Sequence, residues 1–159
     1  MLTILNIVEI MRSDDIATLV YENMLLSRVA TQGVPYKRGS VLDRSATILL
    51  ARLKASGPMS VAELAEAFGL DISTVHRQLA AAMKNGLIEK IDDPNNGPAK
   101  LHRATDEGLS LLSEEFAGRA QATAEVTRGW TDEEVAEFVR LMRKFNMDIE
   151  VVRGHSWPR

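Results

Sequence analysis

The stretch that most narrowly limits the fold of this chain is MSVAELAEAFGLDISTVHRQLAAAMKNG, residues 59–86. Ser60 and Glu63 have the spacing of a capping box, in which each side chain bonds the other residue's backbone N–H at the start of a helix. Gly69 is typical of a helix end, and Asp71 can accept the first N–H groups of the next helix. This stretch therefore predicts two short helices, VAELAEAF and ISTVHRQLAAAMK, joined by a tight turn.

The residues that follow change from a helical to an extended pattern. LIEKIDD and AKLHRA are short extended candidates on either side of PNNGP. Asn96 followed by Gly97 is a strong hairpin signal, because both residue types tolerate positive φ. Two short helices with a hairpin directly behind them predict a winged helix-turn-helix.

Helices are also predicted on the N-terminal side of this motif. Ser13 can cap a helix whose apolar residues recur at helical spacing to about Thr31. Ser40 with Asp43 is expected to open a second helix that runs to a Gly-Pro stop. The apolar residues 1–12 either join an interface or form a frayed start.

The helical pattern returns after the hairpin. Thr131 and Glu134 form another capping-box pair, at the start of the last predicted helix. Its apolar face comprises Val135, Phe138, Val139, Met142, Phe145 and Ile149. We therefore predict a mainly α fold with a small β-hairpin wing, in which a winged helix-turn-helix is flanked by N- and C-terminal dimerisation helices. A winged domain of about 65 residues cannot cover the apolar stripes of the flanking helices, whereas a second copy of the chain would.

Charge is distributed unevenly over the three predicted regions. These are an N-terminal dimerisation helix (1–35), a winged helix-turn-helix DNA-binding domain (36–104) and C-terminal dimerisation helices (105–159). Residues 36–103 carry ten Lys and Arg against seven Asp and Glu, and the flanks are net acidic. Because phosphates respond to the local field, the middle region can bind DNA although the net charge is −3.

The sequence also excludes several kinds of site. With no cysteine there are no disulfides and no thiol switch. The three histidines are dispersed, and H-x-x-x-H, glycine-rich phosphate-loop and G-x-S-x-G motifs are absent. We therefore expect no metal site, no cofactor and no enzyme activity. The apolar runs are too short to span a bilayer and the start lacks a signal-peptide pattern, so a cytoplasmic protein is expected.

Several short motifs follow one another in a specific order. They are AELAEAFGL, STVHRQL, NGLIEK, the dipeptide DP, and T-x-E-G at the start of the next helix. In this combination the chain resembles the MarR family of bacterial transcriptional regulators over roughly residues 13–150. The resemblance implies a homodimer joined by its N- and C-terminal helices. It also implies a winged helix-turn-helix on each subunit and a small ligand bound between the two regions.

The predicted wing departs from the family pattern. Family members usually carry an acidic residue and one or two arginines after DP, and an arginine there enters the minor groove. Here those positions hold Asn96, Gly97 and Pro98, so the arginine that would sense minor-groove width is missing. This departure keeps an alternative function open: a winged-helix protein-interaction module that has lost DNA binding.

The second helix of the motif is the predicted recognition helix. Val75, Leu79 and Ala82 lie on one face and are expected to pack inward. The candidates for base contacts lie near the N-terminus of the other face, and they are Ser73, Thr74, His76 and Arg77. An arginine can bind guanine through two hydrogen bonds, whereas hydroxyl side chains suit phosphates or ambiguous base contacts. The alternative is an ordinary solvated helix face.

The hairpin supplies further candidate contacts to backbone phosphates. They are Asn95, Asn96, Lys100 and Arg103. Arg103 is the preferred one because it comes just before a helix cap, on the face that the family resemblance assigns to DNA. The two asparagines fit a plain turn equally well.

An effector cavity is expected from the resemblance alone. Tyr21, Met24, Tyr36 and Trp130 are the candidate lining residues, and each of them can equally be a core or interface residue. We therefore predict a sequence-specific DNA-binding regulator, in the form of a ligand-responsive homodimeric repressor. Its expected partners are a double-stranded operator, a second copy of the chain and a small-molecule effector.

Overall fold

The computed structural model describes residues 4–32, 42–94 and 97–159, with side chains of the first helix described from residue 14 to residue 28. The elements in these ranges are α1 (Ile4–Gln32), α2 (Arg44–Ser56), α3 (Val61–Phe68), α4 (Ile72–Lys84), β1 (Ile88–Asp92), β2 (Lys100–Ala104), α5 (Asp106–Val126) and α6 (Asp132–Arg153). The chain divides into two compact units, residues 1–38 and 39–159, and α1 belongs to the first. The mainly helical fold with a two-stranded hairpin confirms the predicted fold class.

α1 begins well before the residue predicted to cap it. The helix continues from Ile4 through Ser13, so the predicted start at Ser13 is wrong. A serine caps a helix only where the preceding backbone leaves the helical conformation, and α1 contains no proline or glycine that would force this. Residues 4–12 thus form the first turns of α1, and their side chains lie outside the described residues. Farther along, Leu19 and Val20 are 47% and 65% exposed.

Each helix of the second unit begins at a capping side chain. The caps that the sequence predicted are formed, namely Ser60 with Glu63, Asp71, and Thr131 with Glu134. The predicted start of α2 at Ser40 needs correction. Asp43 accepts the N–H of Ala46 at 2.8 Å and the helix starts at Arg44, because a carboxylate beside a helix N-terminus is a strong acceptor. Ser40 itself lies outside the described residues.

β1 and β2 form the predicted hairpin. Their pairing ends at Asp92 opposite Lys100, so the connection spans residues 93–99. It is longer than the two-residue turn that an Asn-Gly pair favours. Met59, just before α3, pairs with His102 of β2 through two backbone hydrogen bonds of 2.7 and 3.0 Å. The hairpin is therefore attached to the start of the helix-turn-helix.

The core of the second unit lies between α2, α3, α4, the start of β1 and the first half of α5. Its most buried side chains are Leu49, Leu50, Leu64, Val75, Leu79 and Leu112. Burying a leucine contributes roughly 1.5–3 kcal/mol. Val75, Leu79 and Ala82 all point inward from α4, as predicted, and this holds the opposite face of α4 toward solvent. No helix in the described ranges is long and apolar enough to cross a membrane.

Candidate nucleic-acid interface

The outer face of α4 carries the side chains predicted to contact DNA bases. Ser73, His76 and Arg77 are exposed, and Thr74 is half-buried. The exposed residues that follow on this face, up to Lys84, are alanines. Since an alanine side chain forms no hydrogen bonds, polar base contacts are confined to the first turns of α4.

At the N-terminus of α4, two hydroxyl groups are already bonded to the capping carboxylate of Asp71. Ser73 Oγ donates to it at 2.5 Å, and Thr74 Oγ1 donates at 2.7 Å. These bonds, with a third from the Thr74 N–H, hold the pKa of Asp71 far below its ordinary value. A carboxylate that stays charged at this end of the helix opposes a phosphate there. The two hydroxyls are therefore better placed to accept a hydrogen bond from a base than to bind the DNA backbone.

Arg77 is the cation of α4 best placed for a base contact. It is exposed near the start of the helix, and no residue in the described part of the chain pairs with it. Its planar guanidinium can donate two hydrogen bonds to guanine O6 and N7. Within the described ranges, Arg77 has no bond that must break before it binds DNA, in contrast to Ser73 and Thr74.

The predicted cations of the hairpin are paired with acidic residues on the opposite strand. Lys100 pairs with Asp92, and Arg103 Nε lies 2.7 Å from Glu89 Oε1. Both pairs are exposed, and such surface pairs contribute at most about 1 kcal/mol, so a phosphate can displace either carboxylate. Until that happens, the positive field of the hairpin is weaker than its cations alone would produce.

Lys90 is a hairpin cation that the sequence analysis did not single out. It is exposed on β1 opposite His102, and no described residue forms an ion pair with it. The strand register distinguishes Lys90 from Lys100 and Arg103, because only the pairing shows which cations lie opposite a carboxylate. The other two predicted wing contacts, Asn95 and Asn96, lie outside the described residues.

His102 belongs to the hairpin but is buried rather than exposed on its surface. Its side chain is 3% exposed, and its Nδ1 has no hydrogen-bond partner among the residues described. Burial lowers the pKa of this imidazole, so it is uncharged at neutral pH. His102 therefore contributes packing, and adds no charge to the wing.

The predicted effector residues remain a prediction. Tyr21 and Met24 are exposed on α1, and Tyr36 lies outside the described residues. Trp130 packs edge-on against Phe138, with ring centres 5.5 Å apart, beside a shallow hollow that three glutamates also line. These carboxylates would repel an acidic ligand. Across the described ranges, no cluster of His, Asp and Glu could hold a metal ion.

The second unit contains a groove that the sequence analysis missed. It has a volume of about 310 Å³ and lies between α2, the turn after α3, α4 and the C-terminal end of α6. Phe68, Leu70 and Ile48 supply apolar walls, Gln78 of α4 lines one side, and Trp157 closes another. Its walls come from opposite ends of the unit, so no local sequence pattern reveals it.

Comparisons of the sequence agree with this architecture. Residues 42–97 match the model of the MarR family. The chain is also 37% identical over 110 residues to YxaD, an uncharacterized HTH-type transcriptional regulator of Bacillus subtilis (strain 168). That alignment covers 69% of this chain and 77% of YxaD.

Solved structures share the fold at lower sequence identity. YusO from Bacillus subtilis has a TM-score of 0.64 at 22% identity, covering 87% of this chain and 96% of YusO. BpsR of Bordetella bronchiseptica, whose DNA binding is regulated by 6-hydroxynicotinic acid, has a TM-score of 0.58 at 22% identity. That match covers 79% of this chain and 98% of BpsR. At such identity the likeness establishes the fold alone.

Proposed function

The chain belongs to the MarR family and is a DNA-binding transcriptional regulator, and we propose that it acts as a homodimeric repressor of a roughly palindromic operator. The observation that carries this proposal is Arg77, which is exposed on the outer face of α4 and pairs with no described residue, while the inner face of α4 is fixed in the core. In a dimer the two recognition helices would lie about 34 Å apart, one turn of DNA, and enter successive major grooves.

The proposed contacts to the operator fall into two groups, base contacts and phosphate contacts. We assign base contacts to Arg77 and His76, with Ser73 and Thr74 accepting hydrogen bonds from bases. Lys90 joins Lys100 and Arg103 as a candidate phosphate contact. Asn95 and Asn96 remain candidates for the same role.

The proposed homodimer is supported by the exposed apolar side chains of α6. No residue of this helix is buried within the chain, although Phe138, Val139 and Leu141 are all large and apolar. Exposed apolar patches of this kind mark interaction surfaces. In a homodimer, the same contact would cover the patch on α6 of each copy.

The dimer predicts a measurable mass in solution. Light scattering at micromolar concentration should give twice the chain mass of 17.6 kDa, unchanged on tenfold dilution. The same chain mass at every concentration would contradict the dimer. A monomer has one recognition helix, so it could not bind both half-sites of a palindromic operator at once.

A small-molecule effector is proposed by analogy with BpsR, whose DNA binding responds to 6-hydroxynicotinic acid. Tyr21, Met24, Tyr36 and Trp130 are the proposed contacts, and the glutamates beside Trp130 favour an effector without an acid group. A ligand that binds one spacing of the recognition helices better than another lowers operator affinity by that difference in binding free energy. We further propose that the protein is cytoplasmic, where its operator would be, and that it has no enzyme activity.

The proposed function can be tested with a fluorescence-anisotropy titration. The probe is the DNA upstream of the protein's own gene, with a scrambled duplex of equal length as control, each at two salt concentrations. We expect tighter binding to the upstream duplex with a shallow to moderate salt slope. Equal, weak and steeply salt-dependent binding to both would indicate electrostatic contact alone. Absence of binding at low salt would instead support a protein-interaction module. The pairing of Lys100 and Arg103 with carboxylates on the hairpin is compatible with that alternative.

A further inference from the structure

The residues after α6 fold back onto the helix-turn-helix. We call residues 154–159 the C-terminal latch. α6 ends at Gly154, whose left-handed conformation (φ 71°) reverses the chain. The N–H of His155 then donates to the carbonyl of Glu150 at 3.2 Å, which closes the last turn of the helix.

Trp157 makes the main contact of the latch. Its ring stacks on that of Phe68, the last residue of α3, with centres 6.1 Å apart and planes inclined by 25°. The guanidinium of Arg52 on α2 lies 5.4 Å from the Trp157 ring centre and donates to the carbonyl of Ser156 at 2.9 Å. The indole is therefore held by an aromatic contact and a cation–π contact.

His155 contacts the turn between α3 and α4 directly. A Cβ on Gly69 would lie only 2.9 Å from His155 Nε2, so the imidazole packs against the backbone of this glycine. Gly69 also has a left-handed conformation (φ 62°) that ends α3. The latch thus contacts the helix-turn-helix at the residue where the chain changes direction into α4.

Glu150 anchors the far end of the latch to α6. Its carboxylate accepts the N–H of Trp157 at 3.0 Å and both terminal nitrogens of Arg159, at 3.0 and 2.5 Å. Such a two-pronged pair fixes the direction of both side chains. The latch is therefore fastened to the helix that precedes it and to the helix-turn-helix.

Among the described residues, the body of α6 has no buried side chain. We propose that the C-terminal latch is a positioning element for DNA binding: it fixes the end of α6 to the helix-turn-helix turn and so sets the angle at which α4 meets the operator. The inference rests on the proposed function. It adds Trp157, His155 and Arg159 as positioning residues that need not touch DNA.

The latch lies outside the buried core of the unit. None of residues 154–159 belongs to the buried core, and Trp157 lines one side of the groove of about 310 Å³. Removing the contacts of the latch is therefore expected to leave the core of the unit folded.

The test compares operator binding by two latch variants and one control. Trp157→Ala removes the ring contacts, and Arg159→Ala removes the pair with Glu150. Arg128→Ala is the matched control, because it breaks an exposed Arg–Glu pair with Glu125, outside the latch. We expect the latch variants to bind the upstream duplex about 3- to 10-fold more weakly, with the thermal unfolding midpoint retained. Trp157→Phe and the control should bind like the wild type.

A second readout reports on the latch itself. With Trp130 replaced by Phe, Trp157 is the sole tryptophan of the chain. Acrylamide should quench its fluorescence more in the Arg159→Ala variant than in this background, because loss of the pair with Glu150 loosens the contact of Trp157 with Phe68. If the wild type prefers the upstream duplex but the latch variants bind it with the same affinity, this inference alone is overturned. A wild type without sequence preference would overturn the proposed function and the inference with it.

Discussion

Replacing Arg77 by alanine is expected to weaken specific operator binding by about 1–3 kcal/mol, with a smaller effect on random DNA. The guanidinium is exposed on α4, pairs with no described residue, and can donate two hydrogen bonds to one guanine. Its loss removes a base contact as well as one positive charge. Anisotropy titrations of the wild type and variant, against operator and scrambled duplexes, measure the two effects separately.

Two control variants sharpen this test. Arg77→Lys keeps the charge but loses the planar fork, so it should recover nonspecific binding while leaving specificity impaired. Lys84→Ala removes an exposed cation from the last turn of the same helix, where base edges are out of reach. It should weaken both duplexes alike. If Arg77→Ala also weakened both duplexes equally, Arg77 would be a phosphate contact and the base-reading role would be lost.

Replacing Gly108 by alanine should lower the free energy of unfolding by about 2–4 kcal/mol. An added Cβ would lie 2.2 Å from the carbonyl oxygen of Leu87 and 2.9 Å from Leu50 Cδ2. The same carbonyl oxygen accepts the N–H of Thr105 at 3.0 Å and its hydroxyl at 3.2 Å. Backbone that moves to admit the methyl group therefore strains both hydrogen bonds, which join the start of α5 to the start of the hairpin.

Gly129→Ala is the matched control for that substitution. In the described part of the chain, no atom beyond Gly129 and its two neighbours lies within 4 Å of where its Cβ would be, so this variant should unfold at nearly the wild-type urea concentration. Urea unfolding followed by circular dichroism measures both variants. If Gly108→Ala unfolds at the same urea concentration as the control, the backbone near Leu87 can move to admit the methyl group without loss of stability. The packing argument would then be wrong.

Much of the recognition helix could be predicted from the sequence. The cap at Asp71, the end near Lys84 and the inward face containing Val75 and Leu79 are all confirmed. These features depend on residues within one or two helical turns of each other, so local patterns are sufficient. The start of α1 was mispredicted for a related reason: Ser13 fits a cap equally well whether or not a helix precedes it.

The charge available at the hairpin could not be predicted from the same patterns. Lys100, Arg103 and Lys90 look alike in the sequence, yet the first two face carboxylates across the hairpin and the third does not. A shift of one residue in strand register would change these partners. Register depends on the connection at residues 93–99 and on the bridge to Met59, and no short motif specifies either.

The sequence by itself therefore determined the caps of α3, α4 and α6, the buried face of α4, the hairpin and the family, because each of these depends on neighbouring residues. Tertiary structure alone decided that His102 is buried, that Gly108 has no room for a side chain, and that the C-terminal latch lies on the helix-turn-helix. The bond from Arg52 to Ser156 joins residues 104 positions apart. Contacts across such distances form only when the whole unit buries its apolar surface together, and that collective step leaves no local signature.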